Sequence, residues 1–382
     1  MQIEPFTVAV SDDSLADLNR RLEQTRWPDE LHDVGWDYGT PNGYLRELVE
    51  YWRDSFDWRA AERRLNSFAQ KMATIDGQRV HFIHEKGIGP APLPIILSHG
   101  WPGTFNEFSK IIPLLTDPAA HGSDAADAFD VVVPSLPGFA FSDPFLTSGD
   151  NHRRMADLFD ALMTDGLGYA RFAAHGGDIG GVVTASLGDR HADQLRAMHV
   201  TSTALVEPQL SPETVLSAAE RAFLEGRNVW REAEGAYAHQ QNTKPQTLSH
   251  GLTDSPVGLA SWIVEKYRAW SDCGGDVESR FSKDELLTTI SLYWHTNSIA
   301  SANRIYRDNS RDRLMVPDAR PIPVRTGMAV FAGDINQAPE EWAARLFALE
   351  RYVRIPRGGH FAAFEEPQLL ADELRTFFRA FR

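Results

Sequence analysis

The stretch His175–Gly181, which reads HGGDIGG, decides the fold of this chain. It follows a short apolar run and precedes the helix-compatible residues 182–187, so the local pattern is strand, sharp turn and helix. At such a turn, called a nucleophile elbow, the two backbones nearly touch, and small residues are needed two positions either side of the tip. Gly176 and Gly180 meet this requirement, which predicts that Asp178 occupies the tip.

An aspartate at the tip of an elbow indicates a particular chemistry. Serine, the more usual residue there, needs a base before it can act as a nucleophile. An aspartate is ionised at neutral pH, so it can attack an sp3 carbon directly and form an alkyl ester. Suitable leaving groups are the oxygen of a strained epoxide and a halide. The structural alternative is a glycine-rich turn in which Asp178 only caps the next helix.

Composition narrows the class of protein. The 382 residues suffice for one large α/β domain with an insertion, or for two domains. The formal charge of −15 argues against nucleic acids and anionic membranes as partners. No apolar run approaches the roughly 18 residues of a membrane span, and residues 1–10 lack the pattern of a secretory leader. Cys273 is the only cysteine, which excludes an intrachain disulfide, and we expect a cytoplasmic protein.

Strand and helix patterns alternate along most of the chain. Residues 72–203 and 308–382 contain this alternation, which predicts an α/β-hydrolase fold with a mostly parallel sheet and helices on both faces. Residues 204–307 are predicted to be nearly all helical and to form an inserted lid. Residues 1–71 carry three short amphipathic helical patterns, which are expected to pack on something larger rather than to form an independent domain.

The candidate catalytic residues follow the α/β-hydrolase order of nucleophile, acid and histidine. Asp334 follows the strand pattern 328–333, and His360 follows the strand pattern 352–355. Both residues are therefore expected at the carboxyl ends of strands, where ligands gather in such sheets. His360 can act as a base whose tautomer Asp334 fixes. The alternative is that His360 is only a hydrogen-bonded turn residue beside glycines.

An oxyanion hole is predicted next to the elbow. The stretch His99–Gly103 follows an upstream strand, so the backbone N–H groups of Trp101 and Ile179 would hold a developing negative charge. A tight Pro-Gly turn is the structural alternative, and it is compatible with this role. His99 itself is interpreted as structural, and Glu365–Glu366 are interpreted as solvated or capping groups.

Several stretches together form a specific pattern: Thr25–Pro28, Tyr51–Arg53, His99–Gly103, Gly176–Gly180, Asp254–Leu259, Glu265–Lys266 and Gly358–Pro367. Over nearly the full chain this pattern resembles the microsomal-type epoxide hydrolases of the α/β-hydrolase superfamily. The resemblance implies an epoxide hydrolase without a cofactor or a metal, which makes a vicinal diol through an ester on Asp178. It also implies that the N-terminal segment wraps the core and braces the lid.

The resemblance further implies two lid tyrosines that donate hydrogen bonds, and then a proton, to the epoxide oxygen. The matching positions are Tyr237 and Tyr306, the latter within the stretch Asn303–Asn309. A phenol is protonated at pH 7 and suits this task. The other two lid tyrosines, Tyr267 and Tyr293, are assigned to packing.

The chain departs from the family pattern at three points. Several relatives have glutamate where Asp334 stands, and some have tryptophan where Ile179 stands. The first departure leaves the geometry of the acid open, and the second changes the wall of the site but not the use of the backbone N–H. The N-terminal anchor of membrane-bound relatives is also missing, so no membrane attachment is expected.

Two other functions remain alternatives. A haloalkane or haloacid dehalogenase shares the aspartate nucleophile, but it needs halide-binding donors, and the side chain of Ile179 has none. A non-catalytic ligand-binding protein on this fold is the other alternative, and a complete set of nucleophile, acid and histidine argues against it. Trp230, Trp262 and Trp270 suggest an apolar site for a small epoxide, although core packing explains them equally well. Detoxification, catabolism and biosynthesis all fit the sequence, and so does a homodimer.

Overall fold

The computed structural model describes residues 1–203, 205–318 and 320–382, so Ala204, the first residue of the predicted lid, lies outside the described residues. Within these ranges the chain forms these strands: β1 (Gln2–Pro5), β2 (Gln70–Ile75), β3 (Gln78–Glu85), β4 (Leu93–Ser98), β5 (Phe129–Pro134), β6 (Phe172–Gly176), β7 (Leu195–Val200), β8 (Val206–Gln209), β9 (Leu314–Pro317), β10 (Ile322–Gly333) and β11 (Phe347–Gly359). Nine of these described strands form one sheet, in the order β1-β2-β3-β5-β4-β6-β7-β10-β11.

The sheet is mostly parallel, as the sequence predicted. The first three strands pair antiparallel with one another, and β3 also pairs antiparallel with β5. From β5 to β11 every neighbouring pair is parallel. The carboxyl ends of β4, β6, β10 and β11 therefore lie at one edge of the sheet, which is where parallel sheets carry their sites.

Helices cover both faces of the sheet and fill the segment between β8 and β9. They are α1 (Asp12–Glu23), α2 (Asn42–Asp54), α3 (Trp58–Leu65), α4 (Ile112–Thr116), α5 (Asn151–Ala161), α6 (Asp178–Arg190), α7 (Ala218–Glu234), α8 (Ala236–Thr243), α9 (Pro245–Asp254), α10 (Pro256–Trp270), α11 (Lys283–Thr296), α12 (Ile299–Arg311), α13 (Glu340–Leu346), α14 (Ala362–Glu365) and α15 (Pro367–Phe378). One buried cluster contains residues of α1, α2, α5, α6 and the helices after β8, and a second contains residues of α3, α4 and α15.

Local sequence signals explain several of these boundaries. Ser11 caps α1 by accepting the N–H of Ser14 at 3.2 Å. Ser282 and Glu285 form a capping box at the start of α11. The dipeptide Asp76-Gly77 joins β2 to β3, with φ angles of 49° and 83°, because a tight hairpin turn needs residues that tolerate positive φ.

The segment predicted to be nearly all helical also contains a strand. β8 lies near its beginning and pairs in parallel with β9, which follows α12. This two-stranded sheet brings together the two chain ends that connect the helical segment to the large sheet. Helix α12 continues to Arg311 and so runs through the boundary expected after residue 307.

The N-terminal helices pack against the helices that follow β8. Helices α1 and α2 contact α10, while α2 and α3 contact α11. Hydrogen bonds join the same parts: Ser14 Oγ lies 2.8 Å from His295 Nδ1, and the Tyr51 hydroxyl lies 2.9 Å from Asp284 Oδ1. Among the described residues, no helix combines the length and the apolar character needed to cross a membrane.

Candidate active site

The elbow has the tight geometry that its glycines predict. Strand β6 ends at Gly176, helix α6 begins at Asp178, and Asp178 has a φ of 49°, in the left-handed region that non-glycine residues rarely adopt. A Cβ atom at Gly176 would overlap the carbonyl oxygen of Gly180. A Cβ atom at Gly180 would overlap the carbonyl oxygen of Ser98 at the end of β4. Only glycine fits these two positions, and the packing fixes the strained backbone of Asp178.

The carboxylate of Asp178 is held by a backbone amide from the neighbouring loop. The Trp101 N–H donates to Asp178 Oδ1 at 2.9 Å. Gly100 permits this approach, because a Cβ there would overlap the Asp178 side chain. The N–H of Ile179 lies in the first turn of α6, where helix geometry supplies no intrahelical acceptor. Both predicted oxyanion-hole residues therefore adjoin the elbow.

His360 lies between Asp178 and Asp334. Its Nδ1 lies 2.9 Å from Asp334 Oδ1, and its Nε2 lies 3.6 Å from Asp178 Oδ2. All three side chains are largely buried. Burial alone would lower the pKa of His360, but the charges of Asp334 and Asp178 and their hydrogen bonds outweigh burial and raise it well above its usual value. An aspartate is thus long enough to reach the imidazole from the end of β10.

Tyr237 of α8 and Tyr306 of α12 contact each other close to Asp178. Their ring centroids are 5.9 Å apart in an edge-to-face arrangement. The Trp101 ring stacks on Tyr237 at 5.3 Å and contacts Tyr306 edge-on at 5.6 Å. Burial, together with the nearby charge of Asp178, raises the pKa of both phenols. Both hydroxyls therefore remain protonated over the whole neutral range.

The two competing tyrosines lie in packing positions. The Tyr293 hydroxyl donates to the carbonyl oxygen of Gly103 at 2.8 Å. The Tyr267 ring stacks on Phe361 with a centroid distance of 4.2 Å. His99 is buried and accepts the Leu136 N–H at 3.1 Å, and burial lowers the pKa of His99 to about 4. These three side chains pack against the loops around the site, and none of them lines the cavity that contains Tyr237 and Tyr306.

The interpretation of Glu365 and Glu366 as solvated groups is wrong, but the capping interpretation holds in part for Glu365, which accepts the N–H of Phe361 at the start of α14. Glu365 accepts the backbone N–H groups of Asp272, Gly359 and Phe361, at 2.8, 3.0 and 3.0 Å. Glu365 thereby fixes the backbone on both sides of His360. Glu366 is 9% exposed and its carboxylate lies 3.0 Å from Arg280 and 3.0 Å from Arg357. The sequence carries no signal for these roles, because the partners are distant along the chain or are backbone amides.

A cavity of about 190 Å³ opens onto the reactive groups. Asp178, His360, Tyr237 and Tyr306 line one part of it, and Ile179, Leu205, Trp230 and Ile335 supply apolar surface. Of the three tryptophans considered from the sequence, only Trp230 is among its described lining residues. Other charged residues also line the cavity: Arg231 and Arg313 are exposed, while Glu207 and Arg227 are half-buried and form an ion pair at 2.7 Å.

These features define the class of protein. A parallel sheet, an elbow after β6, an acid after β10 and a histidine after β11 together make an α/β hydrolase with an aspartate at the nucleophile position.

Comparison with known proteins identifies the family. A model for the epoxide hydrolase N terminus matches residues 3–108, and a model for the alpha/beta hydrolase fold matches residues 94–367. The protein of Stigmatella aurantiaca named "Putative epoxide hydrolase" is 44% identical over 100% of this chain and 86% of its own length. Epoxide hydrolase 1 of Sus scrofa is 37% identical over 98% of this chain and 88% of its own length. The chain belongs to the epoxide hydrolase family and is an enzyme that hydrolyses epoxides.

A solved structure supports the same conclusion. The epoxide hydrolase of Aspergillus niger superposes with a TM-score of 0.87 at 32% sequence identity, covering 100% of this chain and 97% of that chain. The resemblance stated from the sequence is therefore confirmed at the level of family and fold.

Proposed function

We propose that the enzyme opens an epoxide through a covalent ester on Asp178 and then hydrolyses that ester to a vicinal diol. The observation that carries this proposal is the position of the Asp178 carboxylate, with the Trp101 N–H 2.9 Å away on one oxygen and His360 Nε2 3.6 Å away on the other. A carboxylate held in this way on a rigid elbow is positioned as a nucleophile.

Ring opening uses the two tyrosines. Asp178 attacks one carbon of the epoxide, the carbon–oxygen bond breaks, and the oxygen takes a proton from Tyr237 or Tyr306. Both phenols line the cavity together with Asp178, and their raised pKa values keep them protonated until the epoxide oxygen becomes basic. General-acid assistance of this kind contributes about 10²–10⁴-fold to a rate.

Ester hydrolysis uses His360 and Asp334. Water gives a proton to His360 Nε2 and attacks the carbonyl carbon of the ester, while the Trp101 and Ile179 N–H groups stabilise the oxyanion. Collapse of that intermediate breaks the bond to the substrate oxygen, which takes a proton from His360 as the diol leaves. The acid form of Asp178 then gives up its proton, which returns His360 and the tyrosine pair to the protonation of the resting enzyme.

Formation of the ester also lowers the pKa of His360, the proposed base. In the resting enzyme the charges of both Asp334 and Asp178 raise the pKa of His360, against the effect of burial. Ester formation removes the negative charge of Asp178. The pKa of His360 then falls, because only one neighbouring carboxylate remains. The imidazolium can then pass its proton to the tyrosinate left by ring opening, and the neutral imidazole can accept a proton from water.

We further propose that the segments act as expected from the sequence. The core comprises residues 72–203 and 308–382, a lid formed by residues 204–307 carries Tyr237 and Tyr306, and residues 1–71 brace that lid. The packing of α1, α2 and α3 against α10 and α11 supports this division. The size of the cavity and the apolar residues Ile179, Leu205, Trp230 and Ile335 in its lining favour a small, largely apolar epoxide as the substrate.

Replacing His360 with glutamine tests the two-step reaction. His360→Gln should still open styrene oxide but should not hydrolyse the ester, so intact-protein mass spectrometry should show a mass increase equal to the epoxide. Asp178→Asn, which keeps the shape of the side chain but lacks its charge, is the matched control and should show no adduct. In a single wild-type turnover in H₂¹⁸O, the label should enter the carboxylate of Asp178.

A different result would contradict the proposal. If the label enters the diol during the first turnover and His360→Gln accumulates no adduct, water attacks the epoxide directly. Asp178 would then act as a general base and not as a nucleophile.

A further inference from the structure

A second, much smaller cavity also reaches the reactive groups. Its volume is about 20 Å³, and roughly 10–15 Å³ is enough to hold one water molecule. Asp178, His360 and Glu107 line it. Among its described lining residues there is no lid tyrosine, while Glu107 does not line the substrate cavity. Asp178 and His360 thus contact two separate spaces, one large enough for an epoxide and one large enough for a water.

Glu107 belongs to the loop that supplies the oxyanion amide. It lies in the single helical turn Phe105–Phe108, and its N–H donates to the carbonyl oxygen of Thr104 at 3.0 Å. A side chain at Gly103 would collide with Glu107 Oε2, so glycine there leaves the carboxyl its place. Among the described residues, none donates a hydrogen bond to the Glu107 side chain. A half-buried carboxyl without a protein partner has hydrogen-bonding capacity that a water can satisfy.

Charge in this small cavity also suits a bound water. Burial raises the pKa of Glu107 to about 8, and the charges of Asp178 and Glu365 act in the same direction, while the charge of His360 opposes them. The carboxyl is therefore mostly protonated at neutral pH. In that form Glu107 can accept a hydrogen bond from water through its carbonyl oxygen without adding negative charge beside the ester.

We propose that Glu107 binds and orients the water that hydrolyses the ester on Asp178. The inference rests on the proposed two-step function. The water donates one O–H to Glu107 and the other to His360 Nε2, and its oxygen faces the carbonyl carbon of Asp178. Proton transfer to His360 accompanies the attack, and the bond between that carbon and the substrate oxygen then breaks. Glu107 neither gains nor loses a proton in this step. Because it binds only the water of ester hydrolysis, ring opening does not depend on it.

Single-turnover kinetics with styrene oxide tests this role, with ester formation and breakdown followed by rapid quench and intact-protein mass. Glu107→Leu keeps the volume but removes the acceptor, while Glu107→Gln retains a carbonyl oxygen. Ester breakdown should slow by about 10–100-fold in the leucine variant, since a misplaced reactant typically has an effect of this size. It should slow less in the glutamine variant, and ring opening should stay within about threefold of wild type in both. Ser109→Ala, near Glu107 in the chain but lining a different cavity, is the control and should match wild type.

Two results would overturn the inference. Breakdown in the leucine variant within about twofold of wild type would show that the acceptor is not needed. Equal slowing of ring opening and breakdown would indicate a general structural role instead. If the leucine variant does not fold, Glu107→Ala, which also removes the acceptor, is measured in its place and the same two outcomes apply. An absence of any ester in wild type and in His360→Gln would instead overturn the two-step function itself.

Discussion

At the scale of single residues, Trp101 contacts the groups proposed to act in ring opening and in ester hydrolysis. Its backbone N–H contacts Asp178 Oδ1, while its ring stacks on Tyr237 and meets Tyr306 edge-on. One buried residue therefore supplies the proposed oxyanion donor and contacts both phenol rings. Because both tyrosines line the same cavity, the proposed mechanism allows each to replace the other in part as a donor to the epoxide oxygen.

This arrangement predicts that the tyrosines are partly redundant. Tyr237→Phe and Tyr306→Phe should each slow ring opening by about 10²-fold, the low end of the range for general-acid catalysis, and the double variant should nearly stop it. Rapid-quench measurement of ester formation checks this directly. Tyr267→Phe is the matched control, because its ring stacks on Phe361 and does not line the cavity. Normal ring opening in the double variant would mean that the proton donor is another group.

The sequence predicted residues whose signal is local and missed those whose partners are distant. Asp178 was predicted from the glycines that flank it, and His360 and Asp334 from their places after strands. Glu365 was missed because its partners include the backbone N–H of Asp272, far away in the chain. No sequence pattern predicts which carboxylate binds backbone N–H groups, because these groups are present whatever the side chains are.

At the scale of secondary structure elements, the close contact between β4, β6 and α6 excludes any side chain larger than hydrogen at Gly176 and Gly180. Local sequence signals mark the start of two helices: α11 begins at a capping box, and α15 begins with a proline in its first turn. Strands β8 and β9 were not predicted as a pair, because each has only four residues and they are joined through the whole helical segment. A run of four residues is too short for its side-chain pattern to predict a strand, and the extended conformation of β8 and β9 depends on their hydrogen bonds to each other.

The closeness of α6 to β4 predicts a strong difference between two glycines that both lie in helices. Gly180→Ala should lower the free energy of unfolding by about 3 kcal/mol or more, because the new Cβ overlaps the Ser98 carbonyl oxygen. Gly226→Ala in α7 meets no atom within 4 Å and should raise stability by about 0.5–1 kcal/mol. Urea unfolding measures both. Equal stability of the two variants would mean that α6 can shift away from β4 without penalty.

At the scale of the whole molecule, the N-terminal helices and the helices after β8 share one buried cluster with the sheet. Leu18 of α1, Trp52 of α2 and Ile263 of α10 belong to it. Tyr237 and Tyr306 belong to the same cluster, so the position of the phenols depends on packing that begins in the first helices. The resemblance implied this bracing, but periodicity alone indicated only that the N-terminal helices need a larger partner.

Shared packing of this kind predicts that damage to α2 reaches the proposed lid. Trp52→Ala should destabilise the protein by about 3–5 kcal/mol through loss of buried surface and creation of a cavity. Amide hydrogen exchange should rise in α10 and α11, which α2 contacts, and ring opening should slow because the tyrosines are held less firmly. Leu374→Ala in α15 is the matched control: the residue is fully buried, but α15 packs against α4. It should reduce overall stability by about 2–5 kcal/mol without a selective rise in exchange in α10 and α11. If exchange in these two helices responds no more to Trp52→Ala than to Leu374→Ala, the N-terminal segment stabilises the fold as a whole and does not brace the lid.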